Sequence, residues 1–126
     1  MTRAELIEML RDTNARHNLP PGLLLGVART ESSLRPNAKS PAGALGLMQF
    51  MPATAAEWNI DPLDPAESAD AAARYLTQLH ERFGAWTLAL AAYNWGQGNL
   101  RKALRNATAW PVETDRYVRR VYALAE

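Results

Sequence analysis

Apolar residues recur along most of this chain at intervals of three and four, the spacing of one face of a helix. Leu6, Met9, Leu10 and Thr13 share such a face and predict a first helix from about Thr2 to Asn18. Thr2 and Glu5 stand at the spacing of a capping box, and Leu19-Pro20-Pro21-Gly22 ends the helix. A second helix is expected from about Pro21 to Ser33, stopping near Leu34 because Pro36 pushes Arg35 towards extended geometry. Residues 35–54 mix the turn formers Asn37, Ser40, Pro41, Gly43 and Gly46 with Leu45, Leu47, Met48, Phe50 and Met51. That mixture predicts a loop and a short helix packed into the body. Further helices are expected over Ala53–Trp58, Ala66–Phe83, Asn99–Asn106 and Glu113–Ala125, with a turn at Asp61–Pro65. Trp86 to Tyr93 is apolar all round and reads as a buried central helix. Strand alternation nowhere exceeds a few residues. The expected fold class is therefore all-α, a compact multi-helix orthogonal bundle with little or no β structure.

The length of 126 residues suits one domain spanning 1–126. There is no cysteine, which removes thiol nucleophiles, disulfides and cysteine-based metal sites. His17 and His80 lie far apart and form no metal-binding pair, so neither a metal nor a cofactor is expected. The net charge is only +1, but it is unevenly placed: residues 101–126 hold six Arg or Lys against three Asp or Glu. That basic end suits either a solvated helix face or an anionic polymer. No stretch is long and apolar enough to span a membrane. Met1-Thr2-Arg3-Ala4-Glu5 lacks the apolar centre of a signal peptide, so either the chain stays where it is made or an export segment has been removed.

One residue breaks the apolar pattern. Leu24, Val27, Ala28 and Glu31 follow one another at helical intervals, which puts Glu31 on the core stripe of the second helix. Glutamate is rarely buried without a partner. An ion pair with Arg29 or Arg74, or a side chain reaching out to water from the helix end, would explain it structurally. The functional alternative is a general acid. Apolar surroundings and the negative end of the helix dipole both favour the protonated carboxyl, the form that can protonate a leaving oxygen.

Glycosidases usually pair two carboxylates across the scissile bond. After Glu31 no acid follows until Glu57, with Asp61 and Asp64 next. The intervening loop offers Ser32, Ser33, Asn37, Ser40, Met48, Gln49 and Met51 instead. One acid among neutral polar groups suits a reaction in which the substrate supplies its own nucleophile.

Four segments carry a family resemblance: Glu31-Ser32 with Pro36–Ala44, then Gly46-Leu47-Met48-Gln49-Phe50-Met51-Pro52-Ala53-Thr54, then Ala92-Tyr93-Asn94-Trp95-Gly96, then Glu113-Thr114-Asp115-Arg116-Tyr117-Val118. Together and in this order they resemble the motifs of the bacterial soluble lytic transglycosylases. The resemblance runs from about residue 20 to the end. It implies a lysozyme-like α fold and cleavage of the muramic acid to glucosamine bond in peptidoglycan, leaving an anhydromuramic end. On the matched motifs Glu31 would be the single acid/base. Ser40, Gln49 and Met51 would line the sugar groove, Tyr93 and Asn94 would shape the site behind Glu31, and Tyr117 would bond Glu31 or the substrate.

Each of these positions also has a plain structural reading: Ser40 as a turn former, Met51 as core filler, Tyr93 and Tyr117 as packing residues and Asn94 as a helix-ending residue. Trp58, Trp95 or Trp110 could line a subsite, whereas Trp86 reads as core. The implied partners are peptidoglycan glycan strands, with no nucleic acid and no membrane span, and the protein is expected to be a monomer. It would act on the bacterial cell wall, delivered by a phage, a secretion apparatus, or as part of a longer chain.

Two other readings compete. One is a hydrolase resembling the goose-type lysozymes, in which water replaces the sugar hydroxyl. The other is a non-catalytic helical module that binds polyanions through Arg101, Lys102, Arg105, Arg116, Arg119 and Arg120. The basic residues share a segment with Tyr117, which favours the flank of a cleft facing cell-wall polymer.

Overall fold

The structure, a computed structural model, describes residues 1–125. Seven helices occur among them: α1 (Arg3–Arg16), α2 (Leu23–Ser32), α3 (Pro52–Glu57), α4 (Pro65–Phe83), α5 (Trp86–Trp95), α6 (Gln97–Asn106) and α7 (Val112–Leu124). Among the described residues the only β structure is a pair of isolated bridges, Lys39 with Leu45 and Leu45 with Phe50.

The capping box forms as its spacing predicts. The Thr2 hydroxyl accepts from the Glu5 backbone at 3.1 Å, and the Glu5 carboxylate accepts from the Thr2 backbone at 2.7 Å. The far end of α1 is set by Asn14, which is buried. Its amide nitrogen donates to the carbonyls of Leu19 and Pro20, and its oxygen accepts from the Leu24 backbone. These bonds hold the Pro-Pro turn and deliver the chain into α2.

The central helix is α2. Leu23 to Ala28 are all buried, and one side of the helix lies against α7. Gly26 makes that approach possible, since a Cβ there would run into the Val121 carbonyl of α7. The expected central helix, α5, is only half so. Ala89 to Ala92 are buried, but Thr87 is exposed and Trp86 and Leu88 are half-buried. Its first turn reaches the surface, where Trp86 stacks on His80 at 4.0 Å and the Thr87 hydroxyl bonds Tyr122. The apolar run measured composition there, not depth; large rings can pack on a surface neighbour and still be half-wet.

Residues 33–51 pack into the body as a loop, with Leu34, Leu47, Met48 and Phe50 buried. The expected short helix does not form before Pro52. Positive φ angles at Ser33, Leu34, Gly43, Gly46 and Gln49 interrupt any helical run. At Gly46 a side chain would collide with the Pro62 carbonyl, which pins this loop to the turn before α4. The long α4 lies against α1 and α5. It starts at an Asp64 cap and stops at Gly84 in the left-handed conformation. Between α5 and α6 the chain turns on Gly96 alone, so α6 begins two residues earlier than the sequence pattern suggests.

Candidate active site

Glu31 lies in the last turn of α2 and is partly buried. The Tyr117 hydroxyl of α7 donates to its Oε2 at 2.9 Å. Burial raises the Glu31 pKa to about 7, with the Tyr117 bond pulling in the opposite direction. The arginines weighed as ion-pair partners are directed elsewhere: Arg29 donates to the Leu124 carbonyl and Arg74 pairs with Asp70 at 3.0 Å. The nearest acids in sequence are also used locally or displaced. Asp61 accepts from the Leu63 backbone, Asp64 caps α4, and Glu57 is exposed at a different cavity with Trp58 and Gln78. No second carboxylate among the described residues acts on the proton affinity of Glu31.

Ser32 joins this helix end to the packed loop. Its buried hydroxyl lies 3.1 Å from the Ala28 carbonyl and 2.8 Å from the Leu47 carbonyl, and it accepts from the Arg35 backbone. The Glu31-Ser32 pair thus couples the acid to the segment that carries Gln49. Gln49 itself sits at φ 55°, a conformation that non-glycine residues seldom adopt. Its amide nitrogen donates to the carbonyls of Ala38 and Gly46, bracing the loop from within and leaving Oε1 unbonded among the described residues.

A cleft of about 290 Å³ brings together Gln49, Met51, Tyr93 and Asn94, with Phe50, Tyr75 and Trp95 completing its wall. Met51 is 44% exposed, so it serves the cleft surface and not the core. Asn94 is exposed at the rim. The Tyr93 hydroxyl donates to the Met48 carbonyl at 3.0 Å, and its ring packs between Phe50 and Tyr75, with centroids at 6.2 and 5.6 Å. Burial pushes the Tyr93 pKa well up, and the Glu31 carboxylate pushes it further. Tyr117 is raised by the same two causes in the same order. Glu31 and Tyr117 do not line this cleft themselves, but both are coupled electrostatically to Tyr93, which does.

Ser40 stands apart from the cleft's lining. Its hydroxyl accepts from the Ala44 backbone at 2.9 Å, and its own backbone groups close the same turn. The geometry displays its turn-forming role. Trp110 lies at a separate cavity of about 440 Å³ with Val112 and Asp115. Asp115 points away from Tyr117, because two residues along a helix turn by about 200°. The six basic residues of the C-terminal segment are all exposed; none lines the cleft, and Arg119 is paired with Asp115 at 2.9 Å.

Tyr75 and Thr54 line the cleft without having been singled out by the sequence. Tyr75 borders the alanine-rich stripe of α4, and an aromatic residue on the flank of such a stripe was the available signal. Among the described residues no three His, Asp or Glu side chains gather as a metal site, and no helix is long and apolar enough to cross a membrane.

Comparisons with known proteins agree on one relationship. The family model of the transglycosylase SLT domain matches residues 8–114. The transglycosylase of Enterobacteria phage PRD1 is 36% identical over 111 residues, covering 87% of this chain and 39% of that protein. The soluble lytic murein transglycosylase of Escherichia coli is 36% identical over 101 residues, covering 71% of this chain and 16% of that protein. The crystal structure of the 70 kDa soluble lytic transglycosylase SLT70 from Escherichia coli superposes with a TM-score of 0.81 at 30% identity, covering 93% of this chain and 23% of that one. The chain thus spans well under half the length of these relatives.

Proposed function

Because the chain belongs to the transglycosylase SLT domain family, we propose that it is a peptidoglycan lytic transglycosylase, with 1–126 as a single catalytic domain. The bond cleaved is the β-1,4 link from N-acetylmuramic acid to N-acetylglucosamine, and the product carries a 1,6-anhydromuramic end. The observation that carries this reading is the single carboxyl of Glu31, half withdrawn from water, bonded by Tyr117 and poised at a pKa of about 7. A group so poised can both give and take a proton near neutrality.

Glu31 protonates the glycosidic oxygen as the bond to C1 breaks, with the muramic N-acetyl group assisting at C1. The resulting carboxylate then takes the proton of the sugar's own 6-hydroxyl as that oxygen attacks C1. No water is consumed, and Glu31 ends as it began. Gln49, Met51, Tyr93 and Asn94 hold the strand along the cleft, and Tyr117 lowers the proton affinity of Glu31 against the larger effect of burial. Ser40 acts at the substrate only through the turn it forms. The enzyme works as a monomer on glycan strands of the bacterial cell wall.

The test is digestion of purified sacculi followed by mass spectrometry of the soluble products. Anhydro-ended fragments are expected. Fragments heavier by one water would establish a hydrolase instead, and no fragments beside an active control would remove both. Glu31→Gln is expected to abolish cleavage while keeping the helical fold.

A further inference from the structure

The basic residues of the C-terminal segment stand outside the cleft, and exposed apolar side chains stand among them. Residues 101–125 hold six Arg or Lys against two acids, Glu113 and Asp115, in a chain whose net charge is only +1. On α7 the buried Thr114, Tyr117, Val118 and Val121 mark the face turned to the core. At about 100° per residue, Val112, Arg116 and Arg119 fall within about 60° of one another on the opposite face. Val112 is 67% exposed there and shares a cavity of about 440 Å³ with Trp110. We propose that this face is a docking surface for an anionic phospholipid bilayer. The attachment is peripheral, since no helix among the described residues is long and apolar enough to cross a membrane. It stands apart from the glycan-cleaving reading and does not depend on it.

Charge complementarity selects the partner's sign. Arg101, Lys102, Arg105, Arg116 and Arg120 are exposed and make no ion pair among the described residues. Asp115 lines the same cavity as Trp110, but Arg119 meets its charge at 2.9 Å. The apolar side chains select a bilayer among anionic partners. A dissolved polyanion pairs with the arginines and gains nothing from Val112 or the exposed part of Trp110. A bilayer interface takes both kinds of group. Its phosphates pair with the guanidinium heads, while the valine and the indole leave water at the headgroup boundary. The arginine stems lie along that boundary with their charges at the phosphates. On α6 the pairing recurs: Leu104, 47% exposed, stands one turn from Arg101.

The face is already held in shape. The Thr108 backbone donates to the Ala103 carbonyl at 2.9 Å, which ties the loop before α7 to the end of α6. Trp110 is half-buried against the core, so one side of its ring is anchored while the other meets solvent. A surface fixed in this way loses little freedom on docking. Tyr117, which bonds Glu31, lies on the opposite side of α7, so docking leaves that bond in place.

The experiment is sedimentation of the full chain with vesicles of phosphatidylglycerol and phosphatidylcholine in equal parts, beside vesicles of phosphatidylcholine alone. Binding to the anionic vesicles only, weakening as salt is raised, is expected. Arg116→Gln and Arg120→Gln should each weaken it about fivefold, the effect of one basic residue at an anionic surface. Val112→Asn should weaken it by a similar factor through lost apolar burial. Arg3→Gln removes the same charge from the exposed start of α1 and should bind like wild type. All four positions are exposed, so the variants keep the fold, which an unchanged thermal midpoint checks. A blue shift of tryptophan emission is expected on adding anionic vesicles, and Trp110→Phe should lose it. Equal binding to both kinds of vesicle, or binding to neither, overturns the proposal. Arg3→Gln weakening the binding as much as Arg116→Gln also overturns it, since net charge alone would then explain the attraction. Val112→Asn and Trp110→Phe both behaving as wild type would assign the face to a dissolved polyanion and overturn the bilayer.

Discussion

The Tyr117 hydroxyl donates a 2.9 Å hydrogen bond to Glu31 Oε2 across 86 residues of chain. The same two helices, α2 and α7, approach closely at Gly26, where a Cβ would meet the Val121 carbonyl. The bond stabilises the ionised carboxylate, while burial stabilises the neutral carboxyl. Burial is the larger effect, so the group is left near neutrality and not in the ordinary glutamate range.

Glu31 should make stability fall as pH rises. Its pKa is 4.5 unfolded and about 7 folded, so between these values the folded protein holds a proton that the unfolded chain has released. The stabilising contribution is complete below pH 4.5 and lost above pH 7. Glu31→Gln is neutral at every pH. Its thermal midpoint should match wild type near pH 4 and exceed it at pH 8, by the equivalent of about 3 kcal/mol at most. Equal midpoints at pH 8 would mean that Glu31 ionises without penalty.

Tyr117→Phe tests the other half of the balance. Without the hydroxyl the carboxylate loses its donor, so the Glu31 pKa should rise above its present value. Sacculus cleavage that requires protonated Glu31 declines on the alkaline side, and that limb should move to higher pH in the variant. A purely packing role for Tyr117 predicts lower activity with the limb unmoved.

Gly26→Ala should act at a distance from any substrate. The added methyl meets the Val121 backbone, which can yield only if α7 shifts. A loss of about 1–3 kcal/mol in urea unfolding is expected, as for overpacking in a core. The shift should also weaken the Tyr117 bond, so activity falls further than stability alone explains. Gly98→Ala is the control: nothing lies within 4 Å of its would-be Cβ, and the change should be neutral or slightly stabilising.

Tyr93→Phe should release the packed loop. The Met48 carbonyl lies in a buried segment and loses its donor. A destabilisation of about 1 kcal/mol is expected. Faster amide exchange around Met48 to Phe50 would locate the effect, and unchanged exchange there would show that the bond contributes nothing to loop order.

Much of this was readable from residue spacing. The caps and stops of α1 and α4 are short-range devices, in which Thr2 and Glu5, or Asp64 and Gly84, act on their own few neighbours. Glu31 was conspicuous for a similar local reason, as a carboxyl on an apolar stripe. Its partner was not. Composition allowed Arg29, Arg74 or water, and only the resemblance pointed to Tyr117. The sequence overstates the depth of α5, because apolar content does not say which end of a helix meets the surface. Tyr75 is marked in the sequence only by its place beside the alanine stripe, because its contacts to Tyr93 and Trp58 come from two other segments of the chain.

By itself, then, the sequence determined the seven main helices, several of their caps and stops, and the family, because each depends on periodicity, local capping or matched motifs. The tertiary structure decided what Glu31 touches, how far it is withdrawn from water, and which side chains from α3, α4 and α5 meet at the cleft. Those properties depend on close approach between segments far apart in the chain. The proton affinity of Glu31 follows from them, since desolvation and a 2.9 Å donor are both products of packing.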